Sequence, residues 1–183
     1  MTESMLIIID PQNDFTHSKG YYAKKHKGIS HITLAKEKIK TLFQSWDRNN
    51  VIIVYSNYHK GQFKEGVGFA IPGTFGHKVD EVFGFDHMLT YIFKTQHSAF
   101  TSTNFTDHLK ETNTTTLAIC GFLAEYCVKQ TALDALFNQY NVILIEDCIA
   151  TGDDVLERKQ QMIRELKEKG AVIVDSNRYI ATS

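Results

Sequence analysis

Six short runs rich in Ile, Val and Leu punctuate the chain, at residues 6–9, 51–55, 91–93, 116–120, 142–145 and 171–174. Most are apolar without alternation, as expected of strands covered on both faces in a parallel sheet. Between the runs the apolar spacing changes to three and four residues. Ile32, Ala35, Ile39, Leu42, Phe43 and Trp46 form one stripe. Val128, Ala132, Ala135 and Leu136 form a second, and Val155, Met162, Ile163 and Leu166 a third. Each predicts an amphipathic helix. Val79, Val82, Phe83 and Leu89 predict a shorter one. Strands alternating with helices predict an α/β fold with a doubly wound, mostly parallel sheet. Such sheets bind ligands beyond the carboxyl ends of the strands, where the strand order switches. Chemistry is therefore sought just after each strand.

Composition narrows the class. A length of 183 residues suits one domain with a sizeable core. At 43% hydrophobic and 22% charged, the chain reads as neither disordered nor membrane-spanning. A formal net charge of −1 provides no footprint for nucleic acid. The apolar run at 5–9 is too short for a signal-peptide core or a membrane span, so a cytoplasmic protein is expected. Three cysteines without CxxC spacing argue against a disulfide framework or zinc ribbon. No GxGxxG or Walker pattern occurs, so no nucleotide cofactor is expected and the partner is a small-molecule substrate. Five of the eleven glycines fall between Gly61 and Gly76, which predicts a long irregular loop of the kind that often carries function.

Three reactive groups follow predicted strands: Asp10 in the segment DPQNDF, Lys94, and Cys127 near the start of a helix. A thiolate is a nucleophile, and a helix N-terminus favours it. A carboxylate can take the thiol proton and pass it to a leaving group, and an ammonium can hold that carboxylate or a developing charge. Backbone N–H groups around Leu123 and Cys127 can receive an oxyanion. Phe15 and Tyr126 flank these segments and are read as aromatic walls for a small substrate. Cys120 and Cys148 are read as packed thiols. The basic run at 24–27 reads as a solvated loop that could attract an anion.

These segments resemble the isochorismatase-like cysteine hydrolases. IIIDPQNDF is similar to the family's first-strand motif. FKTQHSAFTSTNF is similar to its segment of a lysine followed by S-A-F-x-G-T, with Ser102 where glycine is usual. CGFLAEYCVKQTALDA is similar to its cysteine block, and IEDCIA to the strand end that follows. The resemblance implies a six-stranded parallel sheet in the order 3-2-1-4-5-6 and a catalytic triad of Asp10, Lys94 and Cys127. It also implies a cis peptide joining Phe122 and Leu123, which would aim the Leu123 N–H beside that of Cys127. Dimers or tetramers are common in the family, so a homo-oligomer is allowed.

The chain departs from particular subfamilies. Nicotinamidases carry a metal on an Asp-x-His segment and a later His. The matching residues here are Asn57, Tyr58 and His59, with Phe69 at the later position and His77 in the unplaced loop. One such ligand does not make a metal site, so no metal or other cofactor is expected, and Asn57 and His59 are read as substrate contacts. Retention of Cys127 with Asp10 and Lys94 favours cleavage of a small amide through a thioester. The alternatives are isochorismatase-type vinyl ether hydrolysis by Asp10, a metal-assisted nicotinamidase, and a redox-sensing or binding protein on the same scaffold.

Overall fold

The computed structural model describes residues 3–182. Six strands form one all-parallel sheet: β1 (Glu3–Ile9), β2 (Val51–Ser56), β3 (Thr90–Lys94), β4 (Thr114–Phe122), β5 (Asn141–Ala150) and β6 (Val172–Val174). Their order is β3-β2-β1-β4-β5-β6, the order expected. The helices are α1 (Asn13–Thr16), α2 (Tyr21–Lys25), α3 (Ser30–Gln44), α4 (Thr103–Glu111), α5 (Lys129–Phe137), α6 (Leu156–Glu168) and α7 (Ser176–Thr182). Met5 to Ile9 and Val51 to Val54 are fully buried, which is why these strands read as unbroken apolar runs. Among the described residues, no helix is long and apolar enough to cross a membrane.

Two local departures have physical causes. The stripe at 79–89 forms only a single 3₁₀ turn at Glu81–Phe83. Asp80 caps it by accepting the Val82 N–H at 3.1 Å, and Gly84, at φ 60°, ends it directly after Phe83. Val79 instead bridges Gln12 in an isolated antiparallel pair. The fifth strand runs on to Ala150, beyond the apolar run, through Glu146 and Asp147, and its pairing with β4 shifts register between Ile119 and Gly121. Such a bulge re-aims a strand end beside the switch point.

The switch point lies between β1 and β4, paired from Ser4 with Thr116 to Ile9 with Gly121. Gly121 has φ 113°, and a Cβ there would sit 2.2 Å from the Ile9 carbonyl oxygen. Only glycine lets the two strand ends approach this closely.

Candidate active site

Asp10 leaves β1 with φ 48°, a left-handed conformation that aspartate tolerates better than most residues, while its N–H still bonds the Val54 carbonyl at 2.8 Å. Its carboxylate is fully buried. Lys94 ends β3, also buried, and its Nζ lies 3.0 Å from Asp10 Oδ2, 2.7 Å from Ser56 Oγ and 3.3 Å from Cys127 Sγ. Ser56 Oγ donates in turn to Asp10 Oδ1 at 2.9 Å. The Tyr58 hydroxyl accepts from Lys94 Nζ at 3.1 Å and lies 3.5 Å from Cys127 Sγ. The ends of β1, β2, β3 and β4 thus converge on one carboxylate, one ammonium and one thiol.

Cys127 does not sit on the first turn of an ordinary α-helix. It lies in a π-helical turn, Ala124–Val128, that precedes α5. The Phe122–Leu123 peptide just before that turn is cis. The Leu123 carbonyl accepts the N–H groups of both Tyr126 and Val128, at 3.1 and 3.3 Å. Such π turns recur at functional sites.

Burial, and next the Asp10 carboxylate, push the Cys127 thiol up to about 12, with Lys94 opposing. The helix start alone therefore does not give a resting thiolate. Burial pulls Lys94 down, but Asp10 and Cys127 outweigh it and hold the ammonium charged. The thiol is protonated beside a carboxylate that can accept its proton.

A cavity of about 430 Å³ opens over the sulfur. Phe15, Leu123, Tyr126 and Cys127 line it, together with Tyr58, Phe63, Phe69 and His97. Phe15 meets Phe69 edge-on at 5.8 Å. Asn57 and His59 do not line it. Asn57 Oδ1 is occupied by His77 Nε2 at 2.5 Å, and His59 is exposed, with Nδ1 3.3 Å from the Lys60 carbonyl oxygen. These two side chains therefore lie off the cavity wall, Asn57 because His77 engages it and His59 because its ring faces solvent. The same geometry tests the metal-bearing arrangement. Among the described residues no group of three or more His, Cys, Asp and Glu side chains could hold an ion. The donors present do not fit a metal beside Cys127.

The motif residues that lack chemistry hold the site together. The Gln12 carboxamide accepts the Ser56 N–H at 2.7 Å and donates to the carbonyls of Ser56 and His77. Asn13 Nδ2 donates to the Phe75 carbonyl, and Asp14 accepts the N–H groups of Tyr21 and Ala70. A Cβ at position 76 would collide with the Asp14 carboxylate at 2.0 Å, which explains one glycine of the loop. Ala99 N–H donates to Thr131 Oγ1, fastening the S-A-F segment to α5. Ser102 adopts φ −95°, a conformation that needs no glycine. Ser56, Tyr58 and His97 went unassigned from the sequence; the signal for the first two is their place at the end of β2, beside the expected Asp-x-His positions.

A doubly wound α/β sheet with a buried carboxylate, ammonium and thiol at its switch point defines the class. The chain matches the isochorismatase domain family over residues 4–178, and it belongs to that family of hydrolases. It is 31% identical to a probable inactive nicotinamidase of Arabidopsis thaliana over 156 residues, 79% of each protein. It is 27% identical to an uncharacterized isochorismatase family protein of Bacillus subtilis, over 83% of each. Among solved structures, an isochorismatase-like hydrolase of Alkaliphilus metalliredigens superposes with a TM-score of 0.81 at 21% identity, over 99% of both chains. The N-carbamoylsarcosine amidase of Thermoplasma acidophilum superposes with a TM-score of 0.78 at 21% identity, over 96% of this chain and 97% of that one.

Proposed function

We propose that the protein hydrolyses a C–N bond of a small amide through a thioester on Cys127, with Asp10 as general acid and base and Lys94 as electrostatic partner. The observation that carries this reading is the Lys94 ammonium between Asp10 Oδ2 and Cys127 Sγ, at 3.0 and 3.3 Å. An amide in the cavity presents its carbonyl to the sulfur. Asp10 takes the thiol proton as sulfur attacks, while Lys94 stabilises the forming thiolate. The N–H groups of Leu123 and Cys127 receive the oxyanion. Asp10 then returns the proton to the leaving nitrogen, which departs as ammonia or an amine, and water hydrolyses the thioester. Phe15 and Tyr126 are the aromatic walls. The N-carbamoylsarcosine amidase of the same fold supports an amide substrate, and the intact Asp–Lys–Cys cluster supports an active enzyme.

The test is ammonia release from nicotinamide and from N-carbamoylsarcosine, with trapping of the acyl-enzyme by intact mass. Cys127→Ala should lose all turnover at an unchanged melting temperature. Full amide turnover by that variant would overturn the thioester. Isochorismate cleaved by Cys127→Ala but not by Asp10→Ala would replace it with vinyl ether hydrolysis.

A further inference from the structure

The Lys94 ammonium has more acceptors around it than hydrogens to give. Asp10 Oδ2 lies at 3.0 Å, Ser56 Oγ at 2.7 Å, the Tyr58 hydroxyl at 3.1 Å, the Gln96 carbonyl at 3.1 Å and Cys127 Sγ at 3.3 Å. An ammonium carries only three N–H groups. One meets the Asp10 carboxylate. Another meets Ser56 Oγ, which has given its own hydrogen to Asp10 Oδ1 at 2.9 Å and so must accept from Lys94. A single N–H is left for Tyr58, Gln96 and the sulfur. Lys94 therefore brings its charge to a forming thiolate but only a shared hydrogen bond.

The Tyr58 hydroxyl carries the other movable hydrogen. Tyr58 follows β2 by two residues, is buried and lines the cavity. Phe63 and Phe69 fix its ring edge-on at 4.8 and 5.6 Å, and Lys94 Nζ lies 5.2 Å from the ring centroid. Two acceptors stand within reach of the hydroxyl hydrogen, the Gln96 carbonyl at 3.2 Å and Cys127 Sγ at 3.5 Å. Burial, then the negative charges of Cys127 and Asp10, push the phenol well above its ordinary 10.0, so it stays a donor. His97 Nδ1 is farther from the sulfur, at 3.7 Å, and burial, then Lys94, lowers its proton affinity.

We propose that the Tyr58 hydroxyl is the second hydrogen-bond donor to the Cys127 sulfur, swinging from the Gln96 carbonyl to Sγ whenever the sulfur carries negative charge. This rests on the thioester reading above and leaves every proton transfer with Asp10. Beside a neutral thiol the carbonyl is the better acceptor and keeps the hydrogen. As Asp10 takes the thiol proton, the sulfur becomes the better acceptor, and rotation about one C–O bond reaches it. Gln96 is exposed, so its carbonyl can take water in exchange. The same rotation serves the sulfur when the thioester C–S bond breaks and it departs as a thiolate. Tyr58 keeps its proton throughout, and no bond to the phenol forms or breaks. A thiol pushed up to about 12 gains from such a donor. Each added hydrogen bond enlarges the thiolate population more than it blunts the thiolate, because nucleophilicity falls only about half as steeply as the pKa.

The test is Tyr58→Phe, which removes the oxygen and keeps the ring. Two reagents read the sulfur separately. Iodoacetamide alkylates Cys127 without using the cycle, and peptide mass locates the adduct. 4-Nitrophenyl acetate acylates Cys127 and releases a burst of nitrophenolate. One hydrogen bond to a charged group is worth about ten- to a hundredfold. The stronger nucleophilicity of the rarer thiolate leaves the observed loss at the lower end, about tenfold. Alkylation of Cys127 and the burst at saturating ester should therefore each slow about tenfold in Tyr58→Phe. The half-saturating ester concentration should stay within about twofold, since the cavity wall keeps its ring. Alkylation at the wild-type rate would overturn the proposal. So would an unchanged burst rate with a raised half-saturating concentration, which would reduce Tyr58 to a wall. A wild-type protein that is alkylated at Cys127 but never forms acetyl-Cys127 would instead overturn the thioester reading, while the two alkylation rates would still decide the hydrogen bond.

Discussion

Among the described residues two buried lysine–aspartate pairs stand apart, and only one of them reaches a cavity-lining thiol. In the first, Lys36 of α3 meets Asp80 at 2.5 Å. Asp80 Oδ2 also accepts from Thr16 Oγ1 at 2.8 Å, its Oδ1 accepts the Val82 N–H, and Lys36 Nζ donates to the Thr16 carbonyl at 3.1 Å. Neither residue lines the cavity. In the second, Lys94 and Asp10 have side chains that are fully buried, yet the ammonium also reaches a thiol that faces the cavity. Burial and charge pairing are shared, so they do not make a site. A nucleophile with access to a ligand does.

Removing one partner from each pair separates the two roles, and Lys94→Met has the largest expected effect. It strands Asp10 as a buried charge, which costs about 3–5 kcal/mol of stability. It should also lower amide or ester turnover by at least ~1,000-fold, because the thiolate loses its counter-ion. Lys36→Met should cost a similar ~3 kcal/mol yet leave turnover per folded molecule unchanged. Urea unfolding and titration of acylable Cys127 measure the two quantities independently. Equal loss of turnover in both variants would abolish the distinction.

The Lys36–Asp80 pair also predicts an acid limb. Burial alone would raise the Asp80 carboxyl. Lys36, the Val82 N–H and the Thr16 hydroxyl outweigh it and hold the group below its ordinary 3.8. A depressed carboxyl contributes stability that is fully present above the unfolded value. That stability is lost as pH falls below the unfolded value and through the folded one. Asp80→Asn should therefore be less stable than wild type at about pH 7, and the difference should shrink as pH falls below about 4. A difference that stays constant over that range would mean the carboxylate charge contributes nothing.

The parallel sheet and the placing of Asp10, Lys94 and Cys127 after predicted strands are legible because each depends on local chain properties, whereas the strand order follows only from the resemblance to the family. Buried parallel strands write themselves as unbroken apolar runs, and strand ends fix where the next side chain falls. The predicted helix at 79–89 failed because spacing alone does not register the cap at Asp80 and the stop at Gly84. The auxiliary shell was illegible for a different reason. Ser56, Tyr58 and His97 matter through contacts with residues 30 to 69 positions away, and no periodicity encodes these. Gln12 and Asp14 are letters of the first-strand motif, but their work is to bind backbone of the glycine-rich loop, a contact made only in the folded chain.

The smallest expected effect sharpens the boundary of the site. Asn57 and His59 fall where the resemblance implies a metal-binding Asp-x-His in nicotinamidases, and the sequence reading makes them substrate contacts. Here His59 Nδ1 meets only the Lys60 carbonyl, and the imidazole is exposed. An exposed residue away from a cavity usually changes free energies by no more than about 0.5 kcal/mol. His59→Ala should therefore leave kcat/KM within about twofold of wild type, since 1.4 kcal/mol corresponds to about tenfold. The same steady-state assay run with and without a chelator should give equal rates. A tenfold loss in His59→Ala would mean that His59 reaches the substrate during turnover, joining Phe63 and Phe69 of the same loop on the cavity wall.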